Sequence, residues 1–200
     1  MARVRDRQGI RPHGTLRENA QRLSVLRVAD MYGFVPYIHD PAQVTELHNM
    51  RIAAKHLRYT LEIFSVCFGP EIDDRIEDVK SVQEQIGQIH DCDVLIELLR
   101  RHLSVLAQRE QERLAALATA SLAHEERMAT IRAAIDAYVA QDPRIGILAL
   151  LSRKTDERQR RYAEFIQWWD EQERGELRAR IYACITAGSN PHEQAAEGRA

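Results

Sequence analysis

The residues with the most to offer chemically lie along one short stretch: His48, Arg51, Lys55, Arg58 and Tyr59, followed by Glu62. Steps of three and four residues place them on one side of a helix over about three turns. Arginine offers a planar fork that grips two oxygens of a phosphate or carboxylate, lysine adds a compact charge, and a tyrosine hydroxyl donates a further hydrogen bond. Only Glu62 answers this row with a negative charge. The spacing admits two readings, a solvated cationic face and an anion-binding site, and spacing by itself does not choose between them.

The row needs a rigid element beneath it. Glu46–Phe64 contains no Gly or Pro and is rich in Ala and Leu, which predicts a helix. Its other side carries Met50, Ala53, Ala54, Leu57, Leu61 and Phe64, an apolar stripe for a core. Asp40-Pro41 is expected to open this central helix, with Pro at its first position, and Phe68-Gly69-Pro70 to close it. Before it, Thr15 caps a first helix with an apolar stripe of Leu16, Ala20, Leu23 and Leu26. Arg17, Arg22 and Arg27 lie off that stripe. Arg27 falls near the end that would face the central helix and joins the candidate anion set. Gly33-Phe34-Val35-Pro36 ends this helix, with Tyr32, Phe34 and Tyr37 packing the turn.

Beyond the central helix, Glu71–His90 repeats Ile72, Ile76, Val79, Val82, Ile86 and Ile89 at helical spacing. Gly87 and Asp91 predict a bend, with Asp91 or Asp93 capping the next segment; Val94, Leu95, Leu98, Leu99, Leu103 and Leu106 carry the core onward. Residues 107–140 predict a long helix broken near Ala120-Ser121. Its apolar stripe is thin, as in an element that projects or meets another subunit. After a turn at Gln141-Asp142-Pro143, the buried candidates are Ile147, Leu148, Leu151, Tyr162, Phe165, Ile166 and Trp169. A break near Gly175 precedes Leu177, Ile181 and Ile185. Lys154, Arg158 and Arg161, at i, i+4 and i+7, form a second basic line that would complete a groove if it packs beside the first. The fold class expected is all-α, an antiparallel helical bundle with long helices. The organisation expected is a mobile basic arm over 1–14, a helical bundle over 15–187 and a disordered tail over 188–200.

Two hundred residues suit one domain with a real core. Aromatic content of 6% and only nine glycines lean toward helices. The formal net charge is −2, so attraction for a polyanion must come from local segregation of charge, and a non-specific nucleic-acid binder is not expected. Cys67, Cys92 and Cys184 are far apart and odd in number, which fits neither a zinc pattern nor a disulfide framework. They point to a reducing, cytoplasmic compartment, with Cys67 and Cys92 as core fillers. No apolar run reaches membrane-spanning length, so no membrane role is expected. Neither a phosphate-binding glycine loop nor a His-Glu-x-x-His pair is present.

His48 and His90 each have two readings. In one, each ring donates a hydrogen bond inside the bundle. In the other, His48 contacts an anion, more strongly when protonated. A His90-Asp91 pair with Asp93 also admits a metal-dependent phosphohydrolase, although Asp91 serves equally as a helix cap. A third class is a helical adaptor whose basic lines meet an acidic protein partner.

The string His48-x-x-Arg51-x-x-x-Lys55-x-x-Arg58-Tyr59-x-x-Glu62 resembles the first motif of the CHAD family, the conserved-histidine α-helical domain. Gln83-x-x-x-Gly87-x-x-His90-Asp91-x-Asp93-Val94 resembles its second motif, with Ile86 where Leu is usual. Arg161-Tyr162-x-x-Phe165-x-x-x-Trp169 is similar to its closing helix. Together these span roughly Leu16 to Ala187. Members often carry two copies of the basic helix in two related halves; one copy is found here. The resemblance implies an all-helical bundle that binds inorganic polyphosphate without catalysis, cofactor or metal. The residues it implies are His48, Arg51, Lys55, Arg58 and Tyr59; place and spacing along the helices add Arg27, Lys154, Arg158 and Arg161. It also suggests association with polyphosphate granules, and a single-copy chain suggests a homodimer that restores two basic helices.

Overall fold

The computed structural model describes residues 10–140 and 142–186, and among these every regular element is helical. The expected arm and tail fall on residues 1–9 and 187–200, outside the described residues, apart from the stretch 10–14. There Asn19 fastens the chain: its amide oxygen accepts from the Arg11 backbone N–H at 2.6 Å, and its amide nitrogen donates to the Arg11 carbonyl at 3.0 Å.

Helix α1 runs Leu16–Tyr32 from a full capping box, in which Thr15 accepts from the Glu18 backbone N–H and Glu18 accepts from that of Thr15. Its buried line is Ala20, Ser24, Val28, Met31 and Tyr32. The expected stripe through Leu16 and Leu26 is thus corrected, since both are exposed. Once the helix is phased by its partners, small Ser24 and branched Val28 fit the close contact better than the more strongly apolar leucines. At the turn after α1, Tyr32 is buried and Phe34 partly buried, but Tyr37 is exposed.

Helix α2, Val44–Ile63, is the central helix. It buries Leu47, Met50, Ala53, Ala54, Leu57 and Leu61. Pro41 lies in the preceding turn and not at the first helical position; the helix starts from Gln43. Asp40 holds that turn by accepting from the Ala42 backbone N–H at 2.9 Å. At the far end a 3₁₀ turn, Ser65–Cys67, leads into the Gly69-Pro70 break.

Helix α3 is continuous from Ile72 to Ala118, 47 residues, so Gly87 and Asp91 do not interrupt it, and neither Asp91 nor Asp93 is a cap. A single Gly in a helix costs about 1 kcal/mol relative to Ala. Burial of Val79, Val82, Ile86 and Ile89 around it outweighs that. Helix α4 covers His124–Ala140, after the expected break near Ala120-Ser121. Helix α5 covers Arg144–Arg174 and α6 Leu177–Thr186. Between α5 and α6, it is Glu176, next to Gly175, that takes the left-handed conformation at φ 56°.

The chain groups into two compact units. One holds the described residues up to His90 together with those from Arg160 on; the other is Asp91–Gln159. In the first, α2 and the start of α3 run antiparallel: His48 meets His90, Arg51 meets Gly87 and Arg58 meets Gln83. Its core joins Met31, Leu57, Leu61, Ile86, Phe165, Trp169 and Ile181, among others. Tyr162 on α5 secures it by donating to the Ile38 carbonyl at 2.7 Å, and Tyr32 by donating to Glu173 at 2.8 Å. The second unit has a much thinner core, with Cys92, Ile96 and Ala134 its buried apolar residues among those described. Val94, Leu98 and Leu148, expected inside, are exposed.

Leu57 sits fully buried on the side of α2 opposite the basic row. Leu57→Ala is expected to lower unfolding free energy by about 2–5 kcal/mol, read from chemical denaturation. A loss under about 1 kcal/mol would contradict the core role of α2.

Candidate functional site

The apolar face of α2 fixes its rotation about its own axis, and that rotation decides where the row His48, Arg51, Lys55, Arg58 and Tyr59 emerges. It emerges along the seam with α3. Lys55 and Tyr59 are exposed, whereas His48, Arg51 and Arg58 are half-buried against α3. On α3 the facing residues are Gln83, Gly87 and His90, at i, i+4 and i+7. None of the three is an acid, so the α3 side of the seam gives the cations no negative partner.

The cations are held differently from one another. Arg58 is well anchored: its Nε donates to Gln83 Oε1 at 3.1 Å and its Nη1 pairs with Glu62 at 3.2 Å. The Arg58 guanidinium also lies over the Tyr59 ring at 4.7 Å, with the Lys55 ammonium 5.9 Å from the same ring. Arg51 and Lys55 have no carboxylate partner among the described residues. Arg51 Nε is buried and makes no hydrogen bond. A buried donor without an acceptor costs about 1–3 kcal/mol, more when charged.

His48 and His90 come together with ring centroids 4.2 Å apart and planes tilted by 34°. His48 Nδ1 is buried and has no hydrogen-bond partner. Burial depresses the pKa of His48 below its ordinary value, with His90 and Arg51 adding like-charge repulsion. No group of three or more His, Cys, Asp or Glu is clustered as a metal site among the described residues. Asp91 lies exposed in mid-helix, and Asp93 accepts from Arg158 Nε at 2.9 Å.

The remaining candidates divide by unit. Arg161, in the same unit as α2, donates to the Gln88 side chain, one residue past Gly87. Arg27 on α1 pairs with Asp30 at 3.4 Å. Lys154 and Arg158 belong to the other unit, and each is in an ion pair there, Lys154 with Glu157 at 2.6 Å and Arg158 with Asp93. The geometry adds three residues to the seam that sequence reasoning places elsewhere: Gln83, Gly87 and His90. Their signal is the helical spacing of the second motif itself, obscured when Gly87 is read as a bend.

The depressed His48 pKa fixes the sign of a pH effect. The folded protein holds fewer protons at this ring than the unfolded chain does, below the ordinary histidine value near 6.5. Stability is therefore full above that value and is lost as pH falls through the window beneath it. Thermal melts between about pH 7.5 and 5.5 are expected to show Tm falling with acid, and His48→Gln is expected to flatten the fall. An equal slope in the variant would contradict the assignment.

No curated protein and no solved structure matches the chain. A family model does: residues 10–100 match the CHAD domain, a span that holds α1, α2 and the whole of the α2–α3 seam and ends before the Arg161–Trp169 run. Through that stretch, the chain is similar to the CHAD domain family.

Proposed function

We propose that the α2–α3 seam binds inorganic polyphosphate by charge and does not alter it. The observation that carries the reading is the state of Arg51 and Lys55: two cations side by side on a rigid helix, without carboxylate partners among the described residues, one with a buried donor still unmet. The CHAD domain is associated with polyphosphate binding, which agrees with this chemistry.

Polyphosphate is a thread of tetrahedral anions with no bases to read, so spaced cations suffice for recognition. Residues three and four apart on a helix are about 5–6 Å apart at Cβ, a spacing that brings successive phosphates to successive side chains. In this reading Arg51 and Lys55 make the primary contacts. Arg58, already oriented by Gln83 and Glu62, offers its remaining donors, and Tyr59 contributes a hydroxyl at the rim. His48 contributes a donor, and a full charge once protonated. Bound phosphate relieves repulsion among Arg51, Lys55 and Arg58. The seam supplies cations and donors, with neither a carboxylate set to hold a metal nor a carboxylate base beside Arg51. In this reading its role is capture, in the cytoplasm and at polyphosphate granules. A helix of the chain long and apolar enough to cross a membrane is absent among the described residues.

Two experiments test this. Polyphosphate titrated at two salt concentrations is expected to bind more weakly at the higher one, and Arg51→Ala with Lys55→Ala to abolish capture of long chains while circular dichroism is unchanged. Unchanged binding by that double variant would refute the site. The single basic helix further leads to a pair of chains sharing one polyphosphate thread. Light scattering is expected to give twice the chain mass; a strict monomer with full binding would discard the pairing.

A further inference from the structure

Gly87 sits in the interior of a 47-residue helix, where glycine is less favourable than alanine. Its φ is not positive, so the freedom to adopt left-handed backbone does not explain it. Space does. A Cβ at Gly87 would stand 3.1 Å from Arg51 Nε and 3.9 Å from Arg51 Cδ and Cζ, and these are its three nearest neighbours. What would occupy the place of a side chain is therefore the charged end of the arginine on the facing helix, the one whose Nε has no acceptor.

We propose that Gly87 is a positioning residue for the anion site. By lacking a side chain it lets the Arg51 guanidinium lie against α3, in line with Lys55 and Arg58, so that the cations form one track. The inference rests on the polyphosphate reading and adds to it a residue that touches no ligand. A methyl group at position 87 leaves the helix intact, because the atom it meets is the end of a flexible side chain. The arginine must give by a few tenths of an ångström at Nε, which turns its guanidinium out of line with Lys55 and Arg58 and weakens one rung of the track. Stability and binding should then move in opposite directions: alanine favours the helix and weakens capture.

The test is a double-mutant cycle on the full chain, with inorganic polyphosphate as the probe. Gly87→Ala is expected to reduce affinity about tenfold, the worth of one charge-assisted hydrogen bond, with Tm equal to or above that of the unaltered chain. The slope of log affinity against log salt should shrink by roughly one contact, as is expected for Arg51→Ala. In an Arg51→Ala background, Gly87→Ala should have no further effect on affinity. Equal affinity in the single variant would overturn the proposal, as would an equal loss in both backgrounds. If Gly87→Ala alone lowers Tm, recovery of Tm in the double variant supports the contact with Arg51, and failure to recover overturns it. One readout needs no ligand: the NMR resonance of Arg51 Nε–H should shift between the unaltered chain and Gly87→Ala, and an unmoved resonance overturns the proposal. If the unaltered chain fails to bind polyphosphate, the functional reading falls on its own, and the resonance still decides whether Gly87 positions Arg51.

Discussion

A charged donor held at the seam between two helices, without an acceptor, is the constraint to which the rest of this unit answers. Arg51 Nε is out of water and unpaired, a condition that costs free energy and persists only if the surroundings hold it. The surroundings are the opposite face of the same helix. Leu47, Met50, Ala53, Ala54, Leu57 and Leu61 bury α2 in the core and leave it little freedom to roll. Two alanines in that line, Ala53 and Ala54, keep the neighbouring elements close. The apolar half of α2 thus acts as a mount for the polar half, and a change in the core would be felt at the basic row through rotation of the helix.

Much of the fold can be read from residue order because its signals are local. The capping position of Thr15, the breaks near Ala120-Ser121 and Gly175, and the apolar side of α2 all rest on residues within one or two turns of one another. What escapes depends on packing between distant segments. Gly87 reads as a breaker in its local window, but Ile86 and Ile89 beside it are fully or almost fully buried, and that burial keeps the helix unbroken there. Asp93 reads as a cap because its ion-pair partner, Arg158, lies 65 residues away. The stripe of α1 departs from expectation for a related reason: Leu16 and Leu26 are the more apolar choices, yet the contact is made by Ala20, Ser24 and Val28.

The candidate site is legible in its cations and not in its frame. His48, Arg51, Lys55, Arg58 and Tyr59 share a face by period alone. The partners that give each its character lie on another helix, and period says nothing about which helix comes alongside. Gln83 turns Arg58 into an oriented group, Gly87 makes room for Arg51, and His90 stacks on His48. Burial, with like-charge repulsion from His90 and Arg51, also lowers the basicity of a ring that in isolation would count as one more cation at mild acidity.

Ion pairing separates the two basic lines more sharply than their spacing does. Lys154 and Arg158 present the same i, i+4 pattern as the α2 row, but each already has a carboxylate at hydrogen-bonding distance, and the Arg158–Asp93 pair is largely shielded from water, with side chains 11% and 17% exposed. A phosphate reaching Arg158 would have to displace Asp93 and leave a carboxylate without its counter-charge in a partly dry place, which is strongly unfavourable. A phosphate reaching Arg51 displaces no carboxylate and supplies an acceptor that is missing. The same residue types at the same period are therefore held differently: one arginine closes a helix contact with a carboxylate, and the other keeps a buried donor without an acceptor. The excess of positive charge that a chain of net charge −2 must find locally is found where the facing helix carries Gln, Gly and His instead of Asp.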